Sequence, residues 1–230
     1  MRKLAVEQAV GETMCHDMTA ILENGFKGVR FSRGHVIREE DIEVLRDMGK
    51  RHVFVWEPEA DEVHEDDAAA ALVDVLIGEG ISRSAPTEGK IGLSALYDGL
   101  FLMNKPALRG INSVGDYTLA CRNGNTPVKA GDKLGGARIV PLVTKRSTVE
   151  QAAAIAGENA PVLSVLPYKP LKTAVIITGN EVYEGRIKDR FEPVLRAKLP
   201  AYGAQIIGVT KCPDELPRLL ESIRGYLDQG

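Results

Sequence analysis

A chain of 230 residues exceeds a typical single domain, so two or three modules are expected. Only 5% of residues are aromatic, the net charge is −3 and the pI is about 5.9. The chain therefore offers neither the basic footprint nor the stacking platform that binds nucleic acid, and no global attraction to anionic lipid.

Cys15, Cys121 and Cys212 are odd in number, widely spaced and never in a Cys-x-x-Cys pair. That pattern favours reduced thiols over a disulfide framework or a zinc knuckle. His16, His35, His52 and His64 show no close metal-ligand spacing. Glu7 and Gly11 interrupt any signal-peptide core behind the basic start, and no window approaches the roughly 18 apolar residues of a membrane span. The expectation is a soluble, cytoplasmic protein without membrane contact.

In chain order, Lys3–Ala20 reads as a short strand followed by a turn or helix, and Gly25-Phe26-Lys27-Gly28 as a flexible turn. Glu39–Met48 predicts a helix: its first turn is acidic, Ile42 and Leu45 share a face, and Gly49 suits the C′ position. His52–Trp56 alternates toward a strand. Glu57–Asp67 is an acidic run, expected as a solvated loop. Glu62, His64 and Asp66 are conceivable metal ligands there, although a charge run is more often simply solvated. Asp67 is placed to cap a helix over Ala68–Ile77 that ends at Gly78 and Gly80.

Glu79–Gly89, rich in Gly, Ser and Pro, reads as a linker. Four β-like runs follow at Lys90–Leu93, Leu100–Met103, Tyr117–Cys121 and Arg138–Val143. Asn123-Gly124-Asn125 is a hairpin signal, and Val128–Leu134 supplies another turn. Tyr97, Asp98 and Arg122 are candidate ligand contacts, weighed against ordinary turn and surface roles. Thr148 is placed to cap a helix running to about Ala156 and stopped by Gly157, and Val162–Leu166 predicts a short strand.

Ala174–Ile177 is an apolar, β-rich run of the kind covered on both faces in a parallel sheet. Thr178, Gly179, Asn180 and Glu181 break it with turn chemistry and place a carboxylate beside it. Phe191, Val194, Leu195 and Leu199 then recur at helical spacing, Ala204–Val209 predicts a second strand, and Pro213 and Asp214 open a last amphipathic helix. Strand, helix and strand in this order imply a right-handed parallel crossover, with ligands expected at the carboxyl ends of the strands. Order alone fits an ordinary βα connection equally well. The fold class expected is α/β: a small αβ module over 1–80, a mainly β module with a connecting helix over 81–168, and a partial parallel-sheet α/β domain over 169–230. Two strands and two helices do not cover the apolar faces they present, so a third strand beyond Gly230 or completion by another chain is expected.

Thr178-Gly179-Asn180-Glu181-Val182, followed by Gly185-Arg186-Ile187-Lys188-Asp189 and Pro213-Asp214, resembles the molybdopterin-binding domain. At the N-terminus, Glu7-Gln8-Ala9-Val10-Gly11, Cys15-His16-Asp17 and Gly34-His35-Val36-Ile37 with Asp41 and Leu45 look like molybdopterin molybdotransferase-like proteins. The match departs from the family where Arg190-Phe191 stands in place of Ser-Asn. Ser94-Ala95-Leu96-Tyr97-Asp98-Gly99 is only a loose echo of the family's Ser-Ala-Met-Asp-Gly-Tyr-Ala.

The resemblance implies that Thr178, Gly179, Asn180 and Glu181 form a loop against molybdopterin or adenylyl-molybdopterin, with Asp214 at the mouth of the second strand, orienting ligand or capping the last helix. It implies that Glu181 and Asp189 are the catalytic carboxylates and the ligands of a Mg²⁺ ion bridging phosphates. Implied partners are molybdopterin, molybdate, a second copy in a homodimer and a recipient molybdoenzyme. The activity implied is a transferase inserting molybdate in molybdenum cofactor biosynthesis. A non-catalytic cofactor carrier or sensor that docks on a molybdoenzyme, and a competence-related nucleotide pyrophosphatase, are the alternatives.

Overall fold

A computed structural model describes residues 1–21, 25–56 and 59–229. The chain is mixed α/β and divides into two units, Met1–Leu166 and Pro167–Gly230.

In the first unit, β1 (Arg2–Ala5) leads through a 3₁₀ turn at Val6–Gln8 to β2 (Met18–Ile21) and β3 (Lys27–Phe31), an antiparallel pair. The strand therefore begins inside the expected Gly25–Gly28 turn. α1 (Asp41–Asp47) ends at Gly49, whose φ of +73° suits glycine and whose amide donates to the Arg46 carbonyl. β4 (His52–Val55) returns antiparallel to β1, turning Val53 and Val55 inward. Val6, Met14, Met18, Phe31, Ile37 and Leu45 complete this cluster with them.

The expected acidic loop is instead β5 (Glu62–His64) running into α2 (Glu65–Leu76); Glu57 and Pro58 lie outside the described residues. His64, not Asp67, caps α2. Its Nδ1 accepts from the Asp66 amide at 3.2 Å, so Nε2 carries the proton and donates to the Cys15 carbonyl at 2.5 Å. Asp67 pairs with Arg33 at 3.1 Å. A charge run conceals this start because His64 and Glu65 are both buried.

The expected linker carries β6 (Ile81–Arg83), which pairs with β7 (Lys90–Ala95). After β8 (Gly99–Met103), Asn104 accepts from the Ala107 amide and caps α3 (Lys105–Asn112), a helix absent from the sequence reading. β9 (Tyr117–Cys121), β10 (Thr126–Val128) and β11 (Lys133–Ile139) follow. Asn123-Gly124-Asn125 makes a turn but no hairpin, since β9 pairs with β11 and β10 pairs with β8. The last strand expected over Arg138–Val143 is split between β11 and β12 (Val143–Lys145), which pairs with β5. α4 (Arg146–Glu158) starts before Thr148, without a side-chain cap, and continues through Gly157; β13 (Leu163–Pro167) then joins β8.

The four-stranded sheet β6-β7-β11-β9 and the three-stranded sheet β10-β8-β13 share one core with α2, α3 and α4. Leu72, Leu76, Ile91, Phe101, Ile111 and Leu163 are fully buried in it, each contributing about 1.5–3 kcal/mol. Tyr97 donates to the Val165 carbonyl, Asp98 accepts from the Ala130 amide and Arg122 pairs with Asp132, so these three candidates hold turns together.

In the second unit, β14 (Leu171–Thr178), the single turn α5 (Asn180–Tyr183), α6 (Phe191–Lys198), β15 (Ala204–Cys212) and α7 (Leu216–Leu227) follow one another. β14 and β15 are parallel, in register from Leu171↔Ala204 to Thr178↔Cys212. Val175, Ile177 and Val182 form the small core. β14 is covered mainly on one face, because Ala174 and Ile176 line a recess with Ile207 and Ile223.

Candidate functional site

The Thr178–Glu181 loop sits where β14 ends, and the structure shows why this sequence turns there. Thr178 is the last residue in register with β15, and the Gly179 amide still donates to the Cys212 carbonyl at 3.3 Å. Gly179 then adopts φ +139° and ψ +119°, a conformation that favours glycine. A side chain there would be strained, and its Cβ would approach the Glu181 carboxylate to 3.2 Å. The Gly179 carbonyl accepts from Tyr183, and the Asn180 carbonyl from Glu184, closing the single turn α5.

Two predicted residues meet here directly. The Asn180 side-chain carbonyl accepts from the Asp214 amide at 3.0 Å, tying the loop after β14 to the segment after β15. This leaves the Asn180 side-chain NH₂ as a donor. The amides of Asn180, Glu181 and Val182 donate to no group among the described residues. The sequence of Asp214 suggested a helix cap, but α7 begins at Leu216 with no side-chain cap.

Asp189 has other work. Its Oδ1 accepts from the amides of Phe191 at 2.8 Å and Glu192 at 3.3 Å, fixing the start of α6. Its Oδ2 is buried without a hydrogen bond, 3.5 Å from the Lys211 ammonium. Burial opposes ionisation of Asp189, but the two amides and Lys211 outweigh it and hold the carboxyl below its ordinary value. Lys211, two residues before Pro213, escaped the sequence reading. Its role depends on pairing opposite Ile177, which no local pattern announces.

Glu181 is exposed, with its carboxylate beside Gly179. Asp189 suits the expected Mg²⁺ poorly: its Oδ1 is taken by the two α6 amides, and its Oδ2 already faces the Lys211 ammonium at 3.5 Å. Among the described residues no group of three His, Cys, Asp or Glu side chains is placed to hold a metal, Glu62, His64 and Asp66 included. No helix among them is long and apolar enough to cross a membrane.

Residues 174–229 match the family described as probable molybdopterin binding domain. Residues 3–57 match a domain of unknown function, DUF8806. No curated protein and no solved structure matches the chain. The match over 174–229 takes in β14 from Ala174 onward, the glycine loop, α6, β15 and α7, so molybdopterin-related binding falls on the unit that carries the loop.

Proposed function

We propose that the Pro167–Gly230 unit binds molybdopterin or adenylyl-molybdopterin during molybdenum cofactor biosynthesis, with the Thr178–Glu181 loop against the phosphate end of the ligand. The observation that carries this reading is Gly179. Its positive φ opens the backbone toward a ligand and leaves three successive amides and the Asn180 NH₂ without partners among the described residues. Arg186, Lys188 and Arg190 add positive charge along the following segment, and Asp214 acts by fixing Asn180 through its amide. Asp189 is a positioning residue that holds the loop exit to α6 and to Lys211.

The finer reading makes the chain a molybdotransferase, with molybdate as second substrate, a homodimeric assembly, a recipient molybdoenzyme and a cytoplasmic setting. In it Glu181 is the carboxylate free to act on the bound ligand, and no step is routed through magnesium. Engagement of Asp189 by Lys211 and the α6 amides favours a second reading, in which the chain carries the cofactor without catalysis.

Anaerobic calorimetry with molybdopterin tests the binding, and molybdate-dependent cofactor formation separates the two readings. Under the transferase reading, Glu181→Gln lowers the rate of cofactor formation without shifting the melting temperature. An unchanged rate removes Glu181 from the mechanism.

A further inference from the structure

The outward face of the four-stranded sheet in the first unit carries a shallow trough of about 650 Å³ that the loop reading does not use. The strand register sets out its side chains in rows. Arg138 of β11 stands directly opposite Lys90 of β7 and, on its other side, Thr118 of β9. In the next row Gly136 lies between Gly92 and Ala120, so nothing larger than a methyl group rises there. Beyond a bulge Lys133 stands opposite Ser94, and Arg122, whose amide donates to the Leu134 carbonyl, lies at this same end. Packing of the sheet keeps the floor bare. A Cβ on Gly136 would lie 2.8 Å from the Ile91 carbonyl oxygen, and one on Gly135 would collide with the Ala120 carbonyl. Two cationic banks therefore flank a floor without long side chains. Arg138 and Lys133 are five positions apart on β11, roughly 15 Å at the usual rise of a strand.

The charge on these banks is uncompensated. Lys90 and Arg138 are like charges directly opposite each other, an arrangement that disfavours the strand pair. Among the described residues neither of them, nor Lys133, forms an ion pair or a side-chain hydrogen bond, and no carboxylate lines the trough itself. Glu65 and Glu88 share a separate cleft with Arg138 without pairing with it. Arg122 is held by Asp132 at 2.9 Å, which fixes its place on the second bank. An open face built this way calls for an anionic partner.

Two features narrow that partner. The banks face each other across the floor, so negative charge is needed on both sides of whatever lies between them. An extended chain supplies it with consecutive acidic residues, because successive side chains point to opposite sides. In addition, no aromatic ring lines the trough to stack bases, and the net charge of −3 opposes a long polyanion while a short acidic segment meets only the local cations.

We propose that this sheet face docks an extended acidic segment of a partner protein, whose consecutive Asp or Glu side chains reach alternately to the Lys90–Arg138 bank and to the Lys133–Arg122 bank.

The test is fluorescence anisotropy of the full chain with a labelled run of about eight glutamates, which self-repulsion keeps extended. A second peptide of equal charge alternates Glu with Gln, placing every carboxylate on one side of the extended chain. The all-glutamate peptide is expected to bind saturably at about 50 mM salt and to weaken as screening rises toward about 200 mM. The alternating peptide is expected to bind at least about fivefold more weakly. Arg138→Gln combined with Lys133→Gln, one exposed residue from each bank, is expected to weaken the all-glutamate peptide about fivefold or more at an unchanged melting temperature. No saturable binding, binding indifferent to salt, equal affinity for the two peptides, or a folded double variant that binds like the parent overturns the proposal. Tighter binding of an oligothymidylate of equal charge also overturns it, by making the face a nucleic-acid surface. If the double variant does not fold, the two-peptide comparison on the parent chain decides.

Discussion

Glu65, the buried first residue of α2, makes a stability prediction through the substitution Glu65→Gln. The fold pushes the Glu65 carboxyl from 4.5 up to about 7, first through burial and then through Asp66; Glu88 adds to this, while Arg138 and Arg33 oppose it. Between those values the folded chain holds a proton that the unfolded chain has released. The stabilising contribution is therefore complete below about 4.5 and lost as the pH rises through about 7. Carrying the carboxyl across that interval corresponds to roughly 3 kcal/mol between its protonation states. Glutamine keeps the shape and abolishes the titration. Relative to the parent, the variant should gain up to about 3 kcal/mol of stability between about pH 4 and pH 8.5. Urea titration followed through Trp56, the chain's one tryptophan, reads the unit that contains Glu65, with the Trp56 and His64 rings 5.6 Å apart. A parent–variant difference that stays flat across this range refutes the assignment of a buried, poorly solvated carboxyl.

Gly179→Ala forces a side chain into a left-handed conformation; it should cost about 1–3 kcal/mol of stability in the Pro167–Gly230 unit and weaken molybdopterin at least tenfold by calorimetry. Asp189→Ala removes the acceptor for the α6 amides and the partner of Lys211, and should lower the melting temperature near neutral pH. Because the Asp189 carboxyl is held low, that contribution is present above about 3.8 and lost as the pH falls through the folded value. Melting curves of parent and variant should therefore converge in acid, and a gap that persists there contradicts this role.

Much of the second unit was legible in the sequence, because its elements follow one another in chain order as one parallel crossover. Ala174–Ile177, the glycine break, the Phe191–Leu199 periodicity and Ala204–Val209 each carry their own signal, and they fold in that order. The first unit was harder, because its strands pair at a distance. Nothing in Asn123-Gly124-Asn125 reveals that the strands on either side join different partners, β9 with β11 and β10 with β8. Burial also overrides local polarity: His64 and Glu65 look like part of a solvated acidic run, yet His64 satisfies both ring nitrogens in the interior. The α3 start was present in the sequence as Asn104 followed by Pro106, but Gly110 and the short length mask it.

In the site, Asn180 and Asp214 could be paired in outline from sequence, since both follow parallel strands. The Asp189–Lys211 pair could not, because it depends on the β14–β15 register. That pair is what changes Asp189 from an expected metal ligand into part of the loop's support.

The most direct test of the central claim is anaerobic titration calorimetry of the full chain with molybdopterin. The account predicts saturable binding with a dissociation constant on the order of micromolar or tighter. It also predicts at least a tenfold loss in Gly179→Ala. Absence of binding up to about millimolar ligand, or affinity unchanged by that substitution, would contradict it.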